Sequence, residues 1–162
     1  MKGFLLDNNA VHKWATQDAV VVAHFNAAAA AGALIETSVI TFGETNCGHR
    51  RSAGTDLARR AACMNWILKQ FVRPLEITRA TAEYYGELKA ELFNRYPPRT
   101  KTRFVDGCYD HVSGREIGVD ENDVWLAAQA IEHNLILVSD DKMKHIRTAA
   151  GVMLRVENWQ KP

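Results

Sequence analysis

Cysteine is scarce in this chain, and what there is does not pair. There are three, Cys47, Cys63 and Cys108. An odd number, with no CxxC spacing and no Cys/His ligand pattern, argues against a disulfide framework or a zinc scaffold and for a reducing compartment. Long hydrophobic runs are also missing. No apolar stretch is long enough to span a bilayer, and the run in MKGFLLDNN is too short for a signal-peptide core. The expectation is a cytoplasmic protein with no membrane contact. Net charge is nearly absent: 20 Lys and Arg against 19 Asp and Glu leave +1. The global balance therefore points neither to nucleic acid nor to a membrane surface, and any such signal must be local. Neither GxGxxG nor a P-loop occurs, which argues against a nucleotide cofactor. GETNCG is not the GxSxG of a nucleophile elbow. The six histidines show no HExxH-type spacing and read as surface or loop residues.

What is present is an ordinary globular composition, 47% hydrophobic and 24% charged over 162 residues. That length suits one domain with a sizeable core. Short apolar runs at 4–6, 38–40, 74–77, 135–138 and 152–156 read as strands. Helical patterns lie between them, at 18–33, after a capping box at 41–44, at 56–71 beyond an interruption at Gly54-Thr55, and at 81–95, 123–131 and 142–149. Short strands alternating with helices predict an α/β fold with a parallel sheet. The stretch 96–122, YPPRTKTRFVDGCYDHVSGREIGVDEN, has no clear period. It reads as a long loop with room for a hairpin, and loops of that length in compact domains are usually functional.

The apolar runs GFLL and LILV both lead into acid, at Asp7 and at Asp140-Asp141. Each acid has an ordinary explanation. Asp7 opens Asp-Asn-Asn turn chemistry. Glu44 is the fourth residue of TFGE, as in a capping box. Asp123 suits the positive end of a helix dipole. Asp140 or Asp141 could cap the next helix. Together they are harder to dismiss, because strand ends and helix N-termini of a parallel sheet share one edge, where ligands of such folds bind. Clustered carboxylates repel, so at least one should titrate high unless a cation intervenes. Mg²⁺ and Mn²⁺ prefer oxygen ligands. A metal there could activate water and stabilise a phosphoryl oxygen.

Asp7 with Asn9, Glu44 within SVITFGETNCG, Asp123 within ENDVWLAAQA, Ser139 with Asp141 in LVSDD, and the final VENW together resemble a PIN-domain ribonuclease, and within that family the VapC-type toxins. The resemblance covers nearly the whole chain, 1–162, as one PIN-like domain with a long basic loop at about 96–122. It implies a three-layer α/β/α sandwich with strand order 3-2-1-4-5. It also implies Mg²⁺- or Mn²⁺-dependent cleavage of RNA, a small protein antitoxin and a homodimer. Asp7, Glu44, Asp123 and Asp141 match the four acids that would bind metal and act in catalysis. Asn9, Ser139 and Asp140 would support them, and Asp140 competes with Asp141 for the fourth place. Asn8 departs from the family pattern, where Thr is common. His145 stands where an aromatic is usual.

Two basic groups are candidates for RNA: Arg50, Arg51, Arg59 and Arg60 flanking Gly54, which suit a solvated helix face slightly better, and Arg95, Arg99, Lys101 and Arg103 in the loop with Tyr96 and Phe104. Lys142, Lys144 and Arg147 follow the fourth acid and could also meet a phosphate. Two other readings remain. One is a PIN-like RNA-binding module that does not cut, which would usually have lost an acid. The other is a Mg²⁺-dependent phosphotransfer protein, which needs a nucleophilic Asp and a positioned Lys that have no convincing place here.

Overall fold

The computed structural model describes residues 2–51 and 55–161. In chain order they form β1 (Gly3–Leu6), α1 (Asn8–Ala15), α2 (Ala19–Ala30), β2 (Leu34–Thr37), α3 (Val39–Arg50), α4 (Thr55–Gln70), α5 (Arg79–Arg95), a 3-10 turn (Val105–Gly107), β3 (Tyr109–Asp110), β4 (Arg115–Glu116), α6 (Glu121–Glu132), β5 (Ile136–Val138), α7 (Lys144–Ala150), a second 3-10 turn (Gly151–Met153) and β6 (Arg155–Glu157). No helix among the described residues is long and apolar enough to cross a membrane.

The main sheet is parallel, with order β2-β1-β5-β6. Its central strands are apolar on both faces, as strands covered on both sides must be. Alternation decides which layer each side chain joins. Leu5 and Leu137 enter a core with Leu88 and Leu92 of α5, Leu126 of α6 and Ile146 of α7. Phe4, Leu6, Ile136 and Val138 enter the opposite core with Val11 of α1, Phe25 of α2 and Ile67 of α4. The result is a sheet between two helical layers, as the α/β/α reading expected, but with four strands among the described residues in place of the implied five-stranded order 3-2-1-4-5.

Register positions the functional edge. Leu6 pairs with Thr37 on one side and Val138 on the other. Asp7, Ser38 and Ser139 therefore leave three neighbouring strands at one level. The Asp7 N–H donates to the Val138 carbonyl at 3.1 Å, and the Ser139 N–H to that of Glu157 at 3.0 Å.

Four expectations are corrected. The second strand is residues 34–37, not 38–40: the Ser38 hydroxyl accepts the Ile40 N–H at 2.9 Å, so this N-cap turns Val39 and Ile40 into the first helical turn despite their β-branched side chains. The capping box at 41–44 fails for the same reason, because Glu44 falls in the second turn of α3. The strand at 74–77 shrinks to a single bridge, Ser38 to Leu75. It lies beyond the end of β2, where the sheet would place a third strand. The buried Gln129 amide holds the Glu76 carbonyl at 3.0 Å and shares the Leu75 carbonyl, at 3.1 Å, with the Val39 N–H. Finally, 8–15 is a helix rather than a turn, because the Asp7 carboxylate caps it. Gly54 lies outside the described residues. The 96–122 segment does contain a hairpin, β3 against β4. It is tied down through Glu121, which pairs with Lys89, accepts from Tyr85, and takes the Val105 N–H at 3.2 Å.

Candidate active site

Three strand ends and two helix starts converge on one acidic edge. Asp7 is buried at 6% exposure, and its carboxylate accepts the Ala10 N–H at 2.7 Å. Burial pushes its pKa from 3.8 up to about 6. The Ala10 N–H and the Ser139 hydroxyl oppose that rise, and the charges of Asp140 and Glu44 add to it. Asp123 behaves alike on the facing helix. It also rises from 3.8 to about 6, first through burial, then through the charges of Asp120, Asp141 and Glu44. The Asp120 N–H, donated to the Asp123 carboxylate at 3.4 Å, is too weak a contact to offset this. Glu44, from the second turn of α3, is raised by burial and by Asp120. The Asn122 amide, donating to it at 2.9 Å, restrains that shift and fixes its direction.

The fourth position is shared. Asp140 faces the Asp7 side, where the Asn9 amide donates to it at 2.9 Å. Asp141 faces the Asp123 side. It is braced at both ends: its N–H donates to the Ser139 hydroxyl at 3.1 Å, and its carboxylate accepts the Met143 N–H at 3.0 Å. Both carboxylates are exposed at the rim, whereas Asp7 lies beneath.

Asp7, Glu44, Asp123, Asp140, Asp141, Asn9 and Ser139 are thus brought to one edge. Reading the sequence missed Asn122, Asp120 and Thr45, and singled out Asn8 only as a departure from the family pattern. Asn122 holds Glu44. Asp120 caps α6 and adds negative charge. Thr45 donates to Asn8 at 2.8 Å, fastening α3 to α1. Asp120-x-x-Asp123 carried a legible signal, an N-cap acid with a second acid at the third helical position. Nothing in the sequence links Asn122 to a residue on α3.

The basic candidates lie elsewhere in their contacts. Arg50 and Arg51 are exposed at the end of α3, with Arg50 bonded to Asn46 at 3.3 Å. Arg99 lies over the Tyr109 ring at 3.6 Å, and Arg103 over Phe104 at 5.1 Å. Lys101 is exposed. His145 fills its aromatic place by meeting Tyr96 edge-on, with ring centroids 4.8 Å apart.

No ion pair among the described residues joins any of these acids to a cation. Nor do any three His, Cys, Asp or Glu side chains among the described residues form a ready-made metal cage. The donors are carboxylates, amides and hydroxyls, all hard oxygen chemistry. Mg²⁺ commonly takes only one or two carboxylates and keeps several waters. The donor set fits such an ion without a closed cage.

The fold has known relatives. VapBC2 from Rickettsia felis, solved bound to a DNA fragment from its promoter, matches with a TM-score of 0.70 at 20% identity, over 97% of this chain and 98% of that one. DNA-bound VapBC from Salmonella typhimurium matches with a TM-score of 0.70 at 20% identity, over 98% and 99%. VapBC-1 from nontypeable Haemophilus influenzae matches with a TM-score of 0.67 at 18% identity, over 98% and 99%. At these identities the likeness is one of fold. No curated protein matches the sequence. The PIN-domain family model matches residues 4–151, from β1 through α7, and the chain belongs to the PIN-domain family.

Proposed function

We propose that this protein is a metal-dependent endoribonuclease acting as the toxin of a toxin–antitoxin pair, with residues 1–162 working as one domain. The observation that carries the reading is that Asp7 and Asp123 both feel the charge of Glu44 between them. Two carboxylates with raised pKa values face a common edge with further acids, and no ion pair among the described residues joins them to a cation. Such an arrangement is unfavourable for a protein alone and favourable for one that binds a divalent cation.

Asp7, Glu44, Asp123 and Asp141 would hold Mg²⁺ or Mn²⁺, which when bound supplies a water of lowered pKa and positive charge opposite a phosphoryl oxygen. The chain's own groups do the positioning. Asn122 aims Glu44, Ser139 steadies Asp7 and Asp141, and Asn9 holds Asp140 beside Asp7. A carboxylate of the set orients the attacking water and receives its proton. No side-chain nucleophile is required. The substrate is RNA, with Arg50, Arg51, Arg99, Lys101 and Arg103 as candidate phosphate contacts. The VapBC relatives support a small protein antitoxin as the partner, and we extend that to a toxin homodimer in the cytoplasm.

The test is incubation of purified protein, freed of any antitoxin, with total bacterial RNA. The arms are Mg²⁺ or Mn²⁺, EDTA, and Asp7→Asn. Discrete fragments that disappear with EDTA and with the variant are expected. Intact RNA under every metal condition, with RNA affinity retained, would replace this reading by that of a PIN-like module that binds without cutting.

A further inference from the structure

Beyond the acids lies a basic feature that the proposed metal site does not use. We propose that the basic cavity formed by Lys142, Lys144 and Arg147, starting one residue past Asp141, holds a backbone phosphate of the RNA strand. This deepens the RNA reading above and rests on it.

The cavity has a volume of about 490 Å³, and its remaining lining is Thr148, Gly151 and Leu154. That size lies in the range of small-ligand sites, roughly 300–1,000 Å³, and no side-chain carboxylate among the described residues lines it. Lys144 and Arg147 share a face of α7 through their i, i+3 spacing. Lys142 reaches the same space because of the backbone between them. Met143 is left-handed, with φ 46° and ψ 38°, an uncommon conformation for a residue other than glycine. Its side chain is buried in the α5–α7 core at 3% exposure. The chain reverses around it and leaves both flanking lysines at the cavity. The turn is fastened by the Met143 N–H to the Asp141 carboxylate, at 3.0 Å. One side chain thus contributes to the acid edge and sets the turn that presents the cations.

Three cations elsewhere have acidic partners: Arg79 pairs with Glu83, Lys89 with Glu121 and Arg95 with Glu91. Among the described residues, no ion pair involves Lys142, Lys144 or Arg147. Three like charges around one cavity repel, and an anion removes that repulsion. A phosphodiester suits the site better than a carboxylate peptide does. Its two free oxygens can be approached from several sides, and three cations from two chain segments approach in that way.

The experiment measures affinity for a fluorescein-labelled, mixed-sequence single-stranded RNA by anisotropy, in EDTA so that no cleavage intervenes. Lys144→Gln/Arg147→Gln is compared with the wild type and with Lys69→Gln/Arg73→Gln, an exposed pair on α4 and the turn after it that carries the same change in charge. Gln is a good helix former, so α7 should persist; far-ultraviolet circular dichroism checks that. The cavity variant should bind roughly tenfold more weakly at low salt. Its slope of log affinity against log salt should shrink by about 0.7 for each phosphate lost. The control pair should barely move. Equal losses in the two variants, no RNA affinity in any of them, or saturable inorganic phosphate binding with RNA affinity unchanged would each overturn the proposal. Metal-dependent cleavage is read separately, so failure of the cavity and failure of the nuclease reading are distinguishable.

Discussion

Asp7 serves two purposes that pull against each other. As an N-cap it stabilises α1, and an amide could do that equally well. As a buried charge beside Asp140 and Glu44 it destabilises the metal-free fold. Its folded pKa of about 6 lies above its ordinary 3.8, so the folded state favours the protonated form. The associated stability is fully present below about pH 4 and is lost as pH rises through about 6. Asp123 acts in the same direction over the same window. The EDTA-treated wild type should therefore lose melting temperature between about pH 4 and pH 7. Asp7→Asn should keep the cap, flatten part of that decline, and match or exceed the wild type near neutrality while losing cleavage. A variant less stable than the wild type at pH 7 would show that the carboxylate is not strained there.

Among the elements, side chains stand in for missing backbone structure. Gln129, from the middle of α6, replaces a third strand by bonding two carbonyls of the 74–77 segment. Gln129→Leu keeps the size and removes both bonds. The expected loss is about 1 kcal/mol in a urea melt, since the Glu76 carbonyl loses its partner while the Leu75 carbonyl keeps the Val39 N–H at 3.0 Å. A change within error would mean that water reaches the Glu76 carbonyl. At the N-terminus of the same helix, Glu121 holds the inserted hairpin segment through Val105 and is itself held by Lys89 and Tyr85. Its carboxylate lies below the ordinary range because of those donors. It is thereby committed to structure, although it is only two residues from Asp123.

For the molecule as a whole, the acidic edge should link metal binding to stability. An ion that binds only the folded state raises the melting temperature by mass action. Here it also relieves the repulsion among Asp7, Glu44, Asp123 and Asp141. Mn²⁺ should raise the melting temperature at pH 7 in the wild type, less so at pH 5, where Asp7 and Asp123 hold protons, and little in Asp123→Asn. Differential scanning fluorimetry reads all three. Equal shifts in wild type and variant would place the ion elsewhere.

The residue order alone determined a good deal. Uninterrupted apolar runs at 4–6 and 135–138 required strands covered on both faces, and the acids that follow them had to emerge at strand ends. The alternation of strands and helices then implied a parallel sheet, and the acids' types and order pointed to hard-cation chemistry. Only the tertiary structure decided the rest. A local cap at Ser38 overrode the β-preference of Val39 and Ile40, which moved Glu44 out of a capping box and left its carboxylate free for the acidic edge. The register of Leu6 against Val138 brought Asp140 beside Asp7 and Asp141 toward Asp123, so a position contested in the sequence is occupied from both sides. The partnership of Asn122 with Glu44 spans 78 residues, and the raised pKa values of Asp7 and Asp123 come from burial. Both depend on which surfaces meet, and local sequence preference carries no information about that.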